Sequence, residues 1–568
     1  MRLDKLLSYS LVIAPAASAH HPLQFRQQNW TIGQTAQTSS GPVIGHAAPT
    51  ATEVSEYLGI RYAQPPLGSL RYAAPLPYTG TAAFNASAFG ASCLIVPQTG
   101  SSNAASNPAN LTAAGAQIVI DGAEKGAKMS EDCLTLNLWT KPQTGEPAKA
   151  VMLWVYGGGF QNGWTGDPQY DGQYLADLED VVIVSFNYRV NIFGFPSTPS
   201  GFSNVGLLDQ RLAVEWVRDN IAAFGGDPHR ITLFGQSAGA ASIDFYSYAW
   251  PSDPIVNGMI LESGTTQVIP PLNETTSAAM WYNITRQVGC GTTTSNASST
   301  LACMRAANST SILSALASAP SFVPTIDNTI VFSNTEYNAR SLSGKFIQAP
   351  LLIGTNDNEE TIFRTGDILH GGAKSDSFYE ETNLNKFFCP CAARANASVY
   401  NHVPTWRYRW FGVFENTNLT LSTDSGAYHG SEIPIIFNTP PAGKGIANDT
   451  VEELAVMAYM RGAWATFAKD PANGLKSYQG GWPSYYPTNA TLIRLAFDPT
   501  NASSTNLALP EMYDAGCGTV LAVAGNASST TGSAVPSPTV KASSGIVLSS
   551  PRNWVLLACP ALALVWTL

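Results

Sequence analysis

Six short apolar runs, separated by segments with helical spacing, constrain the fold of this chain more than any other feature. The runs are rich in Val, Ile and Leu and lack clean apolar–polar alternation, which is typical of central strands covered on both faces. Between two of them, residues 210–224 have the apolar spacing of a helix and end at two glycines. Strands alternating with helices predict an α/β fold whose central, mostly parallel sheet is flanked by helices. The six predicted strands are 134–139, 151–156, 181–187, 231–234, 258–261 and 351–354.

Composition excludes some classes of protein. Aromatic residues make up 10% and apolar residues 45% of the 568 residues, enough for a large core, so disorder throughout the chain is excluded. The net charge is −10, with a sequence pI near 5.2 and no basic stretch. Nucleic-acid binding needs a basic surface, so no nucleic-acid partner is expected.

The two ends of the chain have the composition of targeting segments. Residues 1–19 carry two basic residues, a short apolar run and Ala17-Ser18-Ala19, which predicts a secretory signal peptide. A globular domain is predicted over 20–518 and a stalk rich in Ser, Thr and Ala over 519–543. The apolar tail from Trp554 is shorter than the roughly 20 residues that span a bilayer. Small residues, a spacer and an apolar end predict a GPI-attachment signal, with the lipid on Ser543 and residues 544–568 removed. A tail anchor, or a tail packed on the domain, remains an alternative.

Two further features agree with export. The chain has thirteen Asn-x-Ser/Thr triplets, which predict a heavily glycosylated surface. It also has eight cysteines, and export favours disulfides. Removal of Cys559 with the tail would leave seven, hence one free thiol or an intermolecular bond. The predicted glycan acceptors are Asn29, Asn85, Asn110, Asn273, Asn283, Asn296, Asn308, Asn396, Asn418, Asn448, Asn489, Asn501 and Asn526.

The sharpest local signal is the Gly-x-Ser-x-Gly segment centred on Ser237. An apolar run precedes it and small residues follow it, which is the strand, sharp turn and helix of a nucleophile elbow. Such a turn holds a serine in a strained conformation at the start of a helix, where backbone N–H groups favour developing negative charge. Ser237 is therefore the candidate nucleophile.

A second signal is the run of three glycines from Gly157 to Gly159, directly after the predicted strand 151–156. Glycine N–H groups can approach a substrate closely because no side chain intervenes. Upstream of a nucleophile elbow, such a loop predicts an oxyanion hole, and we expect its donors to be the N–H groups of Gly158, Gly159 and Ala238.

The chain resembles the type-B carboxylesterase/lipase family, which includes the cholinesterases and large fungal lipases. The resemblance covers roughly residues 30–517 and points to a fungal member. It implies an α/β-hydrolase fold and a serine carboxylester hydrolase that acts on small-molecule esters without a metal or organic cofactor. The segments that carry it are GIRYAQPP (59–66) with LRY (70–72), EDCLTLN (131–137), NYR (187–189), NVGLLDQ (204–210) and FGGDP (224–228).

The family places an acid and then a histidine after the serine. Its Gly-x-Asn-x-x-Glu pattern matches GTNDNE (354–359), which makes Glu359 the acid and leaves Asp357 and Glu360 as decoys. Its His-Gly-x-Glu-Ile pattern matches HGSEI (429–433), which makes His429 the base. The resemblance also implies two disulfides, Cys93–Cys133 and Cys290–Cys303, the first closing a loop that carries a flap. Either Cys389 or Cys391 is left to pair with Cys517.

Substrate class is constrained by two departures from the cholinesterases. They carry a glutamate before the nucleophile, where this chain has Gln236, and a tryptophan where it has Ala123. Neutral esters are therefore expected rather than cationic ones. Few large apolar residues in the 93–133 loop favour a short-chain esterase over a lipase. A non-catalytic adhesion protein is the alternative from another class. The oligomeric state is not predicted.

Overall fold

The structure is a computed structural model that describes residues 30–96, 107–122, 124, 127–143, 147–199, 201–421, 425–501 and 506–518. The predicted signal peptide, stalk and GPI signal lie outside these residues, as do Asn29, Ala123, Asn526 and Ser543. Within the described ranges, no helix is long and apolar enough to cross a membrane.

An eleven-stranded sheet forms the centre of the described domain, with strand order β14-β13-β12-β11-β10-β9-β7-β8-β6-β4-β3, and a small three-stranded sheet joins β1, β2 and β5. The strands are β1 (Ala36–Thr38), β2 (Gly41–Ile44), β3 (His46–Ala47), β4 (Ser55–Arg61), β5 (Phe84–Asn85), β6 (Thr135–Thr140), β7 (Lys149–Val155), β8 (Val182–Phe186), β9 (Gly226–Gln236), β10 (Gly258–Glu262), β11 (Leu351–Asn356), β12 (Thr405–Trp410), β13 (Leu492–Leu495) and β14 (Leu507–Ala508).

All six predicted strands are present, and the expected sheet type is confirmed. The seven strands from β8 through β7, β9, β10, β11 and β12 to β13 are parallel, while β3, β4, β6 and β14 add antiparallel pairs at the two sides. Every residue of β7 and β8 is buried. Burial on both faces explains why these runs are continuously apolar in the sequence.

Helices cover both faces of the sheet. The predicted helix 210–224 is longer at its start, because α4 begins at Val205, and its last turn, Ile221–Phe224, is a 3₁₀ turn that ends at Gly225 with φ of +83°. The helices are α1 (Ala113–Gly122), α2 (Gln173–Glu179), α3 (Asn191–Gly194), α4 (Val205–Asn220), α5 (Ala238–Ala249), α6 (Glu274–Val288), α7 (Ala297–Ala306), α8 (Ser309–Leu316), α9 (Asn334–Leu342), α10 (Thr361–Leu369), α11 (Asp376–Thr382), α12 (Cys389–Tyr400), α13 (Ile433–Phe437), α14 (Val451–Lys469), α15 (Gly474–Ser477) and α16 (Glu511–Asp514).

Three disulfides cross-link the described domain. Cys93–Cys133 and Cys290–Cys303 form as expected. The third joins Cys389, at the start of α12, to Cys517, and so resolves the pairing that the sequence left open. Cys391 is a buried free thiol among the described residues.

One predicted glycan acceptor is nearly buried. Asn396 lies inside α12 and is only 8% exposed, and its side-chain oxygen accepts a hydrogen bond from Tyr485 at 3.0 Å. Asn396 is therefore the least exposed of the described acceptors, and it stays a prediction. The other described acceptors are exposed or half-exposed and stay predictions.

Candidate active site

Ser237 occupies the sharp turn between β9 and α5. Its backbone has φ of +58° and ψ of −124°, a left-handed conformation that is strained for any residue with a side chain. Hydrogen bonds on both sides hold the turn: the Ser237 N–H donates to the Glu262 carbonyl at 2.9 Å, and its carbonyl accepts from the Ala241 N–H at 2.9 Å. The turn therefore has the geometry expected of a nucleophile elbow.

Both glycines of the motif are required by contact with the neighbouring strand β7. A Cβ atom on Gly235 would lie 2.5 Å from the Val155 carbonyl oxygen, and one on Gly239 would lie 1.9 Å from the same oxygen. Neither distance leaves room for a methyl group. The start of α5 can pack this closely on β7 only because these residues have no side chain.

The glycine loop after β7 lies against the elbow. A Cβ atom on Gly157 would be 2.9 Å from the Cβ of Ser237. Gly158 and Gly159 have φ of +97° and +64°, conformations that favour glycine. Among the described residues, no acceptor meets the N–H of Gly158, Gly159 or Ala238. Three N–H donors at the elbow and in the glycine loop are thus available to an incoming oxyanion.

His429 and Glu359 form a buried pair. His429 Nδ1 lies 2.6 Å from Glu359 Oε2, and both side chains are fully buried. The second oxygen of Glu359 accepts a hydrogen bond from the Asn356 N–H at 2.8 Å, which fixes the carboxylate. A carboxylate on Nδ1 holds the ring so that Nε2 is the atom left for proton transfer.

The histidine stands beside the elbow. A Cβ atom on Gly430, the residue after His429, would lie 3.7 Å from Gln236 Nε2, next to the candidate nucleophile. The rings of Phe363 and Phe387 pack on the imidazole with centroids 5.1 and 4.8 Å away. His429 Nε2 is buried and has no hydrogen-bond partner within the described chain.

The two acidic residues beside Glu359 form ion pairs with arginines. Asp357 pairs with Arg409 at 2.7 Å, and Glu360 pairs with Arg364 at 3.1 Å. His46, another histidine of the chain, pairs with Glu56 rather than with Glu359. The structure therefore brings together the residues that the motifs selected and leaves their neighbours in separate ion pairs.

A second pair of carboxyl groups under the site was missed by sequence reasoning. Glu262, at the end of β10, accepts from Trp464 Nε1 at 2.7 Å, and Glu432 accepts from Asn356 Nδ2. One oxygen of each carboxyl is buried without a partner. Burial, reinforced by the charge of Glu359, raises the pKa of Glu432 to about 8, and burial with Glu432 nearby raises that of Glu262 as well.

The only sequence signal for this pair was a carboxylate at the end of an apolar strand, in Leu261-Glu262-Ser263. Because the Glu262 carbonyl accepts from the Ser237 N–H, and Asn356 contacts both Glu432 and Glu359, the pair adjoins the nucleophile and the acid. The raised pKa of Glu432 indicates that its carboxyl is largely protonated at neutral pH, and burial likewise disfavours the charged form of Glu262.

The loop closed by Cys93–Cys133 carries α1 and contacts the glycine loop. The side chain of Glu124 accepts from the Gly163 N–H at 2.6 Å and from the Ser92 hydroxyl. Burial raises the pKa of Glu124 to about 7. Glu124 thus ties the disulfide loop to the segment that follows the candidate oxyanion donors.

The fold and site together define an ester hydrolase of the α/β class. Within the described ranges, no group of three or more His, Cys, Asp or Glu side chains could hold a metal ion. A strained serine beside a carboxylate-held histidine and free N–H donors has the parts needed for acyl transfer.

Comparison with known proteins identifies the family. The family model described as "Carboxylesterase family" matches residues 33–388. The chain belongs to this family, and it is a carboxylic ester hydrolase.

Curated relatives have related activities by name. The chain is 35% identical over 469 residues to a chlorogenic acid esterase of Aspergillus niger, covering 80% of this chain and 86% of that protein. It is 31% identical over 520 residues to a cholinesterase of Mus musculus, covering 81% and 82%, respectively. It is 30% identical over 505 residues to secreted lipase 5 of Gibberella zeae, covering 81% and 90%.

A solved structure supports the fold. A PNB esterase superposes with a TM-score of 0.65 at 27% sequence identity, and the match covers 80% of this chain and 93% of that one. The α/β-hydrolase fold expected from the sequence motifs is therefore confirmed.

Proposed function

We propose that the protein hydrolyses neutral carboxylic esters through an acyl-enzyme on Ser237. In the first step the Ser237 hydroxyl attacks the ester carbonyl while His429 Nε2 takes its proton. The C–O bond to the alcohol then breaks, and His429 returns the proton to the leaving oxygen. Glu359 orients the ring and stabilises its charged form.

The second step repeats the first with water as the nucleophile. His429 takes a proton from water, the hydroxide attacks the acyl carbon, and the proton returns to the Ser237 oxygen as the acid leaves. In both steps the N–H groups of Gly158, Gly159 and Ala238 hold the oxyanion. Loss of one such donor typically slows a reaction by about 10²–10³.

The observation that carries this proposal is the strained elbow at Ser237 beside the buried pair of His429 and Glu359. Strain of this kind persists only where the surrounding structure enforces it, and it is concentrated at functional sites. An adhesion protein has no need of a strained serine, a carboxylate-held histidine and free N–H donors together.

The surroundings of the site support neutral substrates. Gln236, beside the nucleophile, is buried and uncharged, so it offers no anion to a cationic ester. The relative named chlorogenic acid esterase adds chlorogenate to the esters worth testing, and the relative named secreted lipase 5 adds long-chain acyl esters.

The test is hydrolysis of p-nitrophenyl esters from acetate to palmitate, together with chlorogenate and butyrylcholine, by the secreted protein. Ser237→Ala is compared with Ser252→Ala, which removes the hydroxyl of an exposed serine. We expect activity in the wild type and in Ser252→Ala, a loss of about 10⁴-fold or more in Ser237→Ala, and a preference for short neutral esters.

Other outcomes decide between the alternatives. An optimum at palmitate would indicate a lipase, and a preference for butyrylcholine would contradict the neutral-ester proposal. A folded wild-type protein that hydrolyses none of these esters would favour the adhesion protein.

We also propose that the enzyme acts outside the cell, held by a GPI lipid on Ser543. The predicted glycan acceptors, the three disulfides and the apolar tail support this location. Treatment of intact cells with a phosphatidylinositol-specific phospholipase C should release activity into the medium. Activity that stays with the cells, or that is already free in the medium, would contradict the anchor.

A further inference from the structure

A cavity of about 490 Å³ lies between α5, α9 and α12, apart from the candidate catalytic residues. Neither Ser237 nor His429 lines it. Its wall includes Thr265, one residue after Gly264, whose Cβ atom would lie 2.2 Å from the Ser237 carbonyl oxygen. The cavity therefore lies next to the elbow. Its volume is typical of a site that binds a small molecule.

The two charged side chains that line the cavity neutralise each other. Among the described residues that line it, Asp244 is the only carboxylate and Arg394 the only cation, and they pair at 2.6 Å with both side chains buried. Asp244 also accepts from the Thr266 N–H at 3.0 Å, and Arg394 donates to Ser398. A buried pair that is satisfied in this way offers no free charge to a ligand, so the cavity suits an uncharged one.

The wall is rich in amides and hydroxyls. The side-chain amides of Asn334 and Asn338 on α9, and of Asn385 before α12, are on exposed residues and have no hydrogen-bond partner among the described residues. Carboxamides both donate and accept, which matches the paired donor and acceptor character of a hydroxyl group. Three such side chains around one cavity favour a ligand with several hydroxyls.

Aromatic side chains complete the lining. Tyr248 and Tyr337 are buried and pack edge to face at 4.9 Å, and Tyr400 stands half exposed at the mouth. Aromatic faces pack well on apolar C–H surface. The hydroxyls of the two buried tyrosines are engaged within the protein, since that of Tyr248 forms a hydrogen bond with Ser341 and that of Tyr337 accepts from the Phe332 N–H. A ring with hydroxyls on its edge and C–H groups on its faces can contact both the amide side chains and the aromatic side chains of the wall.

We propose that this cavity binds a neutral saccharide of one or two rings. Binding of the saccharide does not require ester hydrolysis, because neither Ser237 nor His429 lines the cavity. It gives the enzyme a second contact with glycosylated or polysaccharide-linked material close to the elbow. Asn396, the nearly buried glycan acceptor, is also part of this lining.

The test is isothermal titration of the glycosidase-treated secreted protein with arabinose, xylobiose, cellobiose and maltose. Gluconate, glucosamine and cyclohexanol serve as anionic, cationic and largely apolar probes. We expect at least one neutral saccharide to bind with one-to-one stoichiometry and more tightly than any of the three other probes. None of the saccharides contains an ester, so the result does not depend on the proposed catalytic residues.

Two variants locate the binding. Ala397→Phe places a ring in the cavity and should weaken binding at least tenfold, while Asn338→Ala removes one amide and should weaken it at least threefold. Ala339→Phe, on an exposed face of α9 beside Asn338, is the matched control and should leave binding unchanged. If Ala397→Phe does not fold, Asn338→Ala decides.

Three results would overturn the proposal. The first is no binding of any neutral saccharide, the second is tighter binding of a charged or apolar probe, and the third is saccharide binding that every folded cavity variant retains.

Discussion

The protonated carboxyl of Glu432 makes the stability of this protein depend on pH in a direction that can be worked out. Burial raises its pKa from 4.5 to about 8. Between these two values the folded state keeps a proton that the unfolded state has released. The free energy of unfolding therefore falls as pH rises through this window, and the loss is complete above pH 8.

The size of the effect follows from the width of the window. Each pH unit costs about 1.4 kcal/mol, so the whole window costs about 5 kcal/mol. A domain of roughly 490 residues unfolds with an entropy of roughly 1 kcal/mol/K, so this loss lowers Tm by about 5 °C. Glu432→Gln removes the titrating proton but keeps the shape and a hydrogen-bonding oxygen for Asn356.

The assay is thermal unfolding of wild type and Glu432→Gln from pH 4.5 to 8.5. We expect similar Tm values at pH 4.5 and a variant about 5 °C more stable than the wild type at pH 8.5. Because Glu262 still titrates in Glu432→Gln, the Tm of the variant should still depend on pH, but less than that of the wild type. Glu452→Gln, which removes an exposed carboxylate from α14, should follow the wild type. Parallel curves for Glu432→Gln and wild type would show that Glu432 does not hold an extra proton in the folded state.

Three further predictions concern packing and the free thiol. Gly239→Ala should lower stability by about 3 kcal/mol and abolish esterase activity, because its methyl group meets a carbonyl oxygen of β7. Gly372→Ala should change Tm little, because the nearest atom to its Cβ would be the Asp367 carbonyl oxygen at 3.9 Å, an ordinary contact distance. Arg407→Ala should cost about 3–5 kcal/mol in denaturant unfolding, because it leaves Asp514 buried without its partner. Cys391 should resist iodoacetamide in the native protein and react after unfolding, since burial raises its pKa to about 11; rapid native labelling would contradict this.

The parts of the fold that the sequence predicted are those with local signals. Runs such as 181–187 are buried on both faces and stay apolar throughout, so they are visible without knowledge of their neighbours. Strand β12 was not predicted because Arg407 and Arg409 interrupt its apolar pattern. These arginines are buried only because Asp514 and Asp357 pair with them. Pairing over that distance is not visible in one sequence.

In the candidate site, too, only the residues with a local sequence signal could be predicted. Ser237, Glu359 and His429 could be located because each stands in a motif with a fixed spacing. The shared environment of Glu262 and Glu432 could not, because it depends on the order of the strands and on how α13 follows His429. The burial of Asn396 and the choice of Cys389 over Cys391 likewise depend on which face of α12 meets the core.

Covalent labelling can show directly whether Ser237 is the activated nucleophile. The secreted protein is incubated with a fluorophosphonate, which forms a stable phosphonyl ester with an activated serine and releases fluoride, and the adduct is located by peptide mass spectrometry. We expect a single adduct on Ser237, absent in Ser237→Ala and formed at least about 100-fold more slowly in His429→Ala. A folded protein that takes up no label, or that is labelled on another serine, would contradict it.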